Sequence, residues 1–117
     1  MKYIIADPDG QSNIELKNIL DDIDILDFKG SFTTIGAAGK SIRGEPPEIA
    51  FIRIGKAELN AYQLVGEIRE HNLSSKIIFI SNNGEYAVQA FEYEADGFLL
   101  VPFNGEQIKH LLLRCMK

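Results

Sequence analysis

The sequence predicts an α/β fold in which one parallel five-stranded sheet is covered by helices on both faces. Short runs of apolar, strand-forming residues alternate five times with segments whose apolar residues recur every three or four positions. The strand runs are apolar at consecutive positions, which is typical of strands buried on both faces. The expected strand order is 2-1-3-4-5 with right-handed crossovers, that of a doubly wound, flavodoxin-like (βα)5 sheet.

Length and composition restrict the function. The 117 residues suffice for a single domain, spanning 1–117, and the 45% hydrophobic content is typical of a globular protein. A net charge of -5 without a basic patch argues against nucleic-acid binding by this domain alone. No apolar run approaches the roughly 20 residues of a membrane span, and the single Cys115 cannot form an internal disulfide. We therefore expect a cytoplasmic protein with no membrane partner.

The first two strand–helix units occupy the N-terminal part of the chain. The first strand is Tyr3–Ala6, and Ser12 or Asn13 is expected to cap the helix that follows. The inward residues of this helix have helical spacing and are Leu16, Ile19, Leu20 and Ile23. The second strand begins near Asp24, where apolar residues and acids alternate as far as Phe28. A second helix is then capped by Thr33 or Thr34, and its inward residues are Ile35, Ala38 and Ile42.

The third unit follows a break at 44–47. Ile49–Ile54 is the third buried strand, 55–60 is a loop or the entry of a helix, and the next helix runs to about Glu70. The buried face of this helix consists of Ala61, Leu64, Val65 and Ile68.

The last two units follow residue 75. Ile77–Ile80 is the fourth strand, and 81–84 is a polar break. The helix after the break has one apolar face, formed by Tyr86, Ala87, Ala90, Phe91 and Tyr93. Phe98–Val101 is the fifth strand, which ends at Pro102 because proline cannot donate to a sheet ladder. Asn104 caps the last helix, and its inward residues are Ile108, Leu111, Leu112 and Cys115.

Functional residues are expected at the C-terminal edge of this sheet. Ligand or catalytic chemistry in doubly wound sheets lies outside the carboxyl ends of the strands, here near strands 1 and 3. Four segments meet at that edge, namely 7–9, 53–56, 81–83 and 101–102.

Segment 76–103, KIIFISNNGEYAVQAFEYEADGFLLVPF, resembles the end of the receiver domain of bacterial response regulators. Its AFEYEADGFLLVPF run is similar to the branch associated with LytTR output domains, in which an aromatic-rich fourth helix precedes a strand that ends in Pro-Phe. The resemblance extends over the whole chain, because the earlier elements have the expected order and spacing. It implies a role in two-component signal transduction and no enzymatic activity of the domain itself.

The resemblance also locates the family's phosphorylation site. A working receiver has a phosphoacceptor Asp at the end of strand three, two acids after strand one that help to hold Mg²⁺, a hydroxyl after strand four and a Lys before the Pro of strand five. Aligning PEIAFIRIGKAELNAYQL with the third-strand motif places Arg53 at the acceptor position. Asp7 matches the first acid, Pro8 replaces the second with Asp9 one residue on, and Val101 replaces the Lys.

Other positions of that site are retained or altered. Ser81 keeps the hydroxyl position, although capping of the following helix is its favoured role. Pro102 keeps the end of the motif, which implies a cis Val101–Pro102 bond. Ala57 and Ala61 replace the usual Pro and Gly of the loop after strand three.

These changes imply a degenerate pseudo-receiver that works independently of phosphorylation. Arg has no nucleophilic oxygen, so aspartyl phosphate cannot form at position 53. Because strand ends 1 and 3 are neighbours, we expect the Arg53 guanidinium close to Asp7 and Asp9, where it balances charge in place of a metal and lowers the pKa of a carboxylate beside it. The alternative is an Arg53 side chain that extends into solvent. No cofactor is expected; Mg²⁺ binding is expected to be weak or absent, with Asp7 and Asp9 as the weak alternative site.

The resemblance implies a protein partner or a homodimer formed through helix 4, strand 5 and helix 5. The residues of this face are Tyr86, Gln89, Glu92, Tyr93, Phe98, Leu100, Gln107, His110 and Leu111. Phe98 also occupies the family's switch-aromatic position, where we expect a fixed, half-buried ring. The chain is either a stand-alone receiver or the N-terminal regulatory domain of a longer regulator with a LytTR-type DNA-binding domain.

Two other functions remain open. IIADPDG and IIFISNN resemble the first two motifs of haloacid-dehalogenase-type phosphatases, in which Asp7 would be the nucleophile and Asp9 the general acid. Against this, Gln11 replaces the usual Thr, and no later apolar strand ends in the acid pair needed for Mg²⁺. In the other function, the altered pocket senses a small ligand and Arg53 binds an anion.

Two further groups of residues have no assigned chemistry. Four acids resemble a calcium loop superficially, but the apolar residues between them favour a solvated strand edge; they are Asp21, Asp22, Asp24 and Asp27. His71 and His110 lie far apart with no Cys or His at metal spacing, and we interpret both as surface residues.

Overall fold

The computed structural model describes residues 1–55 and 60–115, and the strands in these ranges form one parallel sheet with the order β2-β1-β3-β4-β5. The predicted fold class and strand order are therefore confirmed. The strands are β1 (Lys2–Ala6), β2 (Asp27–Phe32), β3 (Ile49–Arg53), β4 (Lys76–Ser81) and β5 (Gly97–Leu100). The helices are α1 (Gly10–Leu20), α2 (Ile35–Gly44), α3 (Ala61–His71), α4 (Ala87–Glu92) and α5 (Gly105–Cys115). The substitution predicted at Ala57 lies outside the described residues.

The two faces of the sheet pack in separate layers because successive strand residues point to opposite faces. In β1, Tyr3 and Ile5 belong to the core that α1 and α5 cover. Ile4 and Ala6 belong to the core on the other face, which includes residues of α2, α3 and α4. Strands β1, β3 and β4 are buried over nearly their full length, in agreement with their continuous apolar runs.

The predictions for α2, α3 and α5 are confirmed in detail. Thr34 caps α2, and its hydroxyl accepts a hydrogen bond from the Ala37 amide at 3.2 Å. The four inward residues predicted for α3 and the four predicted for α5 are all buried. At the start of α5, Asn104 and Gln107 cap each other reciprocally, with N···O distances of 2.8 and 3.0 Å.

The start of α1 and the extent of β2 differ from the prediction. Asp9 caps α1 in place of Ser12 or Asn13, and its carboxylate accepts from the amides of Gln11 and Ser12. Aspartate is as strong a capping residue as serine or asparagine, so the pattern alone did not distinguish them. Strand β2 begins at Asp27 instead of Asp24. Ile23 and Leu26 are nevertheless buried, because the connection itself contributes them to the core.

Helix α4 is shorter and more exposed than predicted. A 3₁₀ turn over Gly84–Tyr86 precedes it, and Ala90 is its only buried residue. Phe91, predicted to face inward, is 73% exposed. The helix ends where Glu94 adopts a left-handed backbone with φ 56°, and Arg69 of α3 donates to the Glu94 carbonyl at 2.8 Å.

The segment after β5 contains the cis Val101–Pro102 peptide bond that was predicted. None of the helices in the described ranges combines the length and the apolar character that crossing a membrane requires.

Candidate functional site

Two oppositely charged residues meet at the C-terminal edge of the sheet. Asp7 directly follows β1, and Arg53 is the last residue of β3, the strand that pairs with β1. Both side chains are almost completely buried, with residue exposures of 4% for Asp7 and 7% for Arg53. Arg53 Nη1 lies 3.8 Å from Asp7 Oδ2. Arg53 therefore lies beside Asp7, as predicted, and does not extend into solvent.

This ion pair is buried but not bidentate. The 3.8 Å separation is longer than a hydrogen bond, and Arg53 Nε has no hydrogen-bond partner among the described residues. The other carboxylate oxygen, Asp7 Oδ1, accepts from the Asp9 amide at 2.9 Å. Removing two charges from water costs several kcal/mol per ion, and an imperfect geometry recovers only part of that cost. The pair balances charge at the strand ends and leaves part of the donor capacity of the guanidinium unused.

The two residues after Asp7 lie outside this buried pair. Asp9 is exposed and caps α1, with 2.9 Å to the Gln11 amide and 3.3 Å to the Ser12 amide. Pro8 carries no side-chain oxygen. Among the described residues there is no cluster of three His, Cys, Asp or Glu side chains that could hold a metal ion. Among the described residues, the one buried acid, Asp7, lies beside a cation, and the Pro8 side chain offers no oxygen ligand, so these groups do not fit the oxygen-rich octahedral shell of Mg²⁺.

Ser81, at the end of β4, is fully buried, and its side chain forms a hydrogen bond within the connection that follows β4. Its Oγ accepts from the Asn83 amide at 3.1 Å, and the Asn83 side chain in turn caps the 3₁₀ turn by accepting from the Glu85 amide. The cap of this turn is thus Asn83, and the capping role favoured for Ser81 is wrong. Its hydroxyl is not among the groups that line the neighbouring cavity.

A cavity of about 140 Å³ lies next to the ion pair, between α1 and the segment that follows β5. Its lining residues are Asp7, Ser12, Glu15, Leu16, Ile19, Arg53, Ile80, Val101, Pro102 and Phe103. The sequence prediction included four of these ten and missed the contribution of α1. The amphipathic spacing of α1 gives its inward face, but not which part of that face stays uncovered at the strand ends.

Asn13 also supports the site, and the sequence prediction considered it only as a possible helix cap. It is 4% exposed, and its amide nitrogen lies 3.2 Å from both the Asp7 carbonyl and the Phe32 carbonyl. These two hydrogen bonds connect the ends of β1 and β2 to α1, and so hold the backbone that carries Asp7. The signal in the sequence was its spacing, because Asn13 precedes Leu16 and Leu20 on the same helical stripe.

The predicted interaction face is only partly available at the surface. Leu111 is 3% exposed and belongs to the core, so its assignment to that face is wrong. Gln89 accepts from the Tyr62 hydroxyl at 2.5 Å, and Tyr93 stacks on the Tyr62 ring at 4.1 Å between centroids. These two residues pack α4 against α3, because the short α4 turns that side toward α3 rather than toward solvent.

The remaining members of the face differ in exposure. Phe98 is half-buried and packs against the core that α2 and α3 cover, as its position predicted. Tyr86 is also half-buried, and its ring lies close to Gly55, whose φ is 87°. Leu100 is 48% exposed. The other exposed members are Glu92, Gln107 and His110.

Two apolar residues of α4 that the prediction omitted from the face are largely exposed. Val88 is 65% exposed and Phe91 is 73% exposed, and they lie three positions apart on one side of the helix. With Leu100 they give the helix 4 to strand 5 surface an apolar character that its polar members do not provide.

Comparison with known proteins finds relatives among bacterial response regulators. No protein-family model matches the chain. The sensory transduction protein LytT of Bacillus anthracis is 25% identical to the chain, in an alignment that covers 100% of the chain and 48% of LytT. The transcriptional regulatory protein LytR of Staphylococcus aureus is 26% identical, in an alignment that covers 93% of the chain and 44% of LytR. Among solved structures, the response regulatory domain of protein mrkE from Klebsiella pneumoniae superposes with a TM-score of 0.84 and 26% sequence identity. The superposition covers 99% of this chain and 95% of the mrkE chain. The chain is therefore similar in sequence and in fold to response-regulator receiver domains.

The chain spans about half the length of the curated relatives that it matches. The LytT and LytR matches agree with the predicted resemblance to the LytTR-associated branch. Arg53 is the last residue of β3, and Val101 directly precedes Pro102.

Proposed function

We propose that this receiver domain works without phosphorylation, through protein–protein contacts that regulate an output such as transcription. The observation that carries the proposal is the buried ion pair between Arg53 and Asp7 at the end of β3, with 3.8 Å between Arg53 Nη1 and Asp7 Oδ2. A cation now occupies the position from which a receiver normally presents a carboxylate.

Three separate losses support phosphorylation independence. The guanidinium of Arg53 has no oxygen that could accept a phosphoryl group. Pro8 supplies no ligand for Mg²⁺, the ion that offsets charge in phosphoryl transfer, and we therefore propose weak or absent Mg²⁺ binding. Val101 supplies no cation that would pair with a phosphoryl oxygen. Each loss alone weakens phosphorylation, and together they remove its acceptor, its metal ligand and its counter-charge.

We propose the surface of α4, β5 and α5 as the contact surface, and a second copy of this chain as its partner. The exposed apolar side chains of Val88, Phe91 and Leu100 support this choice, because large exposed apolar residues grouped on one surface are typical of protein contacts. The length of the relatives leaves room for an output domain, and we propose one of the LytTR DNA-binding type in a cytoplasmic regulator.

The phosphorylation part is tested by adding acetyl phosphate or beryllofluoride with Mg²⁺ and recording amide NMR spectra and intact mass. We expect no shift near residue 53 and no added phosphoryl mass in the native domain. The matched control is a restored variant with Pro8→Asp, Arg53→Asp and Val101→Lys, which should show shifts at the strand ends. Phosphoryl incorporation or site-centred shifts in the native domain would contradict the proposal.

The homodimer part is tested by light scattering coupled to gel filtration over a range of concentrations. Leu100→Glu should weaken the dimer by roughly tenfold or more, because a charge replaces an apolar contact. Leu73→Glu is the control, since Leu73 is 85% exposed and follows α3 outside the proposed surface. A native domain that stays monomeric at all concentrations, or equal effects of the two variants, would rule out the homodimer.

A second candidate function is sensing of a small ligand. The supporting observation is the 140 Å³ cavity, where the buried Arg53 Nε has no partner among the described residues. This function ranks second because Asp7 and Glu15 line the same cavity, and their negative charges disfavour an anion. Thermal unfolding with millimolar inorganic phosphate, compared with chloride at equal ionic strength, distinguishes the two. A phosphate-specific rise in the midpoint that Arg53→Met abolishes would favour ligand sensing.

The phosphatase alternative places the nucleophile at Asp7 and the general acid at Asp9. The Arg53 ion pair and the capping hydrogen bonds of Asp9 favour structural roles for both acids. We therefore propose that the domain is not an enzyme. Mg²⁺-dependent hydrolysis of p-nitrophenyl phosphate that Asp7→Asn abolishes would overturn this part.

A further inference from the structure

A second apolar groove lies at the opposite edge of the sheet from the Arg53–Asp7 pair. It has a volume of about 300 Å³ and runs between the connection from α1 to β2 and the second half of α5. Ile23 and Leu112 form its buried floor, and Ile25 and Leu113 are exposed beside it by 45% and 63%. We propose that this groove binds a basic amphipathic segment of a partner protein, in which apolar side chains enter the groove and Lys or Arg side chains face its acidic rim.

The charges at the rim determine the chemistry of the occupant. Asp22 and Asp24 line the groove, and among the described residues neither carboxylate forms an ion pair. The neighbouring acids of the same connection are already compensated. Asp21 pairs with Lys17 at 2.9 Å, and Asp27 lies 3.6 Å from the N-terminal amine. Two uncompensated carboxylates beside exposed apolar side chains complement a cationic, apolar segment.

One cation also lines the groove. Lys109 of α5 lies 3.8 Å from Glu106, an exposed neighbour on the same helix, so its charge is partly compensated. A cationic occupant is repelled by Lys109 and attracted by Asp22 and Asp24. Removal of the acidic charges should therefore weaken binding of a cationic occupant, and removal of the Lys109 charge should strengthen it.

A second copy of this chain does not fit the groove. A two-fold contact places the same patch of both copies face to face, so that Asp22 and Asp24 of one copy meet the same acids of the other. Like charges in contact oppose association. A head-to-tail contact brings a chain of net charge -5 against an acidic rim, which is also unfavourable. The occupant is therefore a different, basic protein segment.

This inference does not rest on the proposed function. The groove involves the ends of the elements at the N-terminal edge of the strands, whereas the Arg53–Asp7 pair lies at the C-terminal edge. The groove residues also differ from the α4, β5 and α5 residues proposed for the homodimer, so variants of one surface leave the other intact.

The test uses two fluorescent amphipathic peptides of about 14 residues, roughly four helical turns, with the same Leu face and either Lys or Glu on the polar face. A scrambled Leu/Lys peptide without an apolar face is the third probe. Binding is followed by fluorescence anisotropy at about 0.15 M salt and mapped by amide NMR. We expect the Leu/Lys helix to bind at least about tenfold more tightly than the other two. Its shifts should centre on 22–25 and 109–113.

Variants distinguish the groove from general attraction to an acidic protein. Asp22→Asn with Asp24→Asn should weaken binding about fivefold, Leu113→Ser about tenfold, and Lys109→Gln should strengthen it by roughly twofold. The matched controls are Glu70→Gln with Glu85→Gln, which change the net charge equally elsewhere, and Leu73→Ser. Controls should bind like the native domain. Equal binding of the scrambled peptide, shifts centred elsewhere, or equal effects of control and groove variants would overturn the proposal.

Discussion

At the scale of single residues, the Arg53–Asp7 pair contributes charge balance more than stability. Each side chain is more than nine-tenths buried, so both charges lose most of their hydration. A buried ion pair of imperfect geometry can be replaced by apolar groups at little cost, but removal of one partner leaves an uncompensated buried charge. The pair is therefore expected to matter mainly when it is broken on one side.

A double-mutant cycle measures this asymmetry. Asp7→Asn keeps the acceptor for the Asp9 amide but removes the charge beside Arg53, and should lower the free energy of unfolding by about 3 kcal/mol. Arg53→Met combined with Asp7→Asn should cost clearly less than the sum of the two single variants. The free energies are measured by urea unfolding.

The control for this cycle is the exposed pair of Lys17 and Asp21, which are 35% and 45% exposed. Asp21→Asn should cost less than about 1 kcal/mol, because solvent screens the pair. Equal costs for Asp7→Asn and Asp21→Asn would show that the buried site is hydrated and that Arg53 does not depend on Asp7.

At the scale of elements, the seating of α5 on β5 depends on a residue without a side chain. A Cβ added at Gly97 would lie 2.5 Å from Leu111 Cδ1 and 3.1 Å from Ile78 Cδ1. Leu111 is buried between the helix and the sheet, so it cannot move aside without opening a gap in the core. The close approach of helix and strand thus requires glycine at this position.

Gly97→Ala should lower the free energy of unfolding by about 1–3 kcal/mol through overpacking. Gly66→Ala in α3 is the matched control, since a Cβ there meets nothing within 4 Å. That control should raise stability by up to about 1 kcal/mol, because alanine favours helix. Thermal and urea unfolding report both changes, and combination with Leu111→Val should recover part of the loss. A neutral Gly97→Ala would contradict this account.

Elements with strong periodicity were predictable, and those set by contacts between elements were not. The buried residues of α3 follow from Ala61, Leu64, Val65 and Ile68 alone, because one helical stripe meets one sheet face. The predicted buried face of α4 was wrong, because the short helix has more apolar residues than it can bury. Its orientation depends on Tyr62 of α3, which the local pattern of α4 does not contain.

The same distinction applies to the candidate site. The neighbouring positions of Asp7 and Arg53 follow from the sheet order, because β1 and β3 are adjacent. The cavity beside them was not predictable, since it depends on how far α1 stands from the segment after β5. The capping role of Asp9 also required coordinates, because Asp9, Ser12 and Asn13 are all of residue types that can cap a helix.

At the scale of the whole molecule, one exposed carboxylate connects three segments distant in sequence. Glu45, which follows α2, forms ion pairs with Lys2 of β1 and with Lys29 of β2, the latter at 2.7 Å. Hydrogen bonds from both lysines, followed by their charges, lower the pKa of Glu45 from 4.5 to about 2. The folded protein therefore keeps Glu45 ionised at pH values where the unfolded chain protonates it.

The sign of the pH dependence follows from this lowered pKa. The contribution of Glu45 is present above pH 4.5 and is lost as the pH falls from 4.5 toward about 2. The unfolding midpoint of the native domain should therefore exceed that of Glu45→Gln at neutral pH, and the difference should shrink through this window. Glu92→Gln, at an exposed position of α4, should show no such convergence. A difference that stays constant with pH would mean that solvent screens the Glu45 pairs completely.

The guanidinium at the tip of β3 has a consequence for how long a signal could last. A phosphoryl group on a carboxylate hydrolyses, so the phosphorylated state of an ordinary receiver ends by itself after a limited time. The Arg53 guanidinium has no carboxylate oxygen to carry a phosphoryl group, so neither a kinase nor a phosphatase can change its charge. On the proposed function, the number of copies of the protein, and not a phosphoryl group, sets the strength of the response.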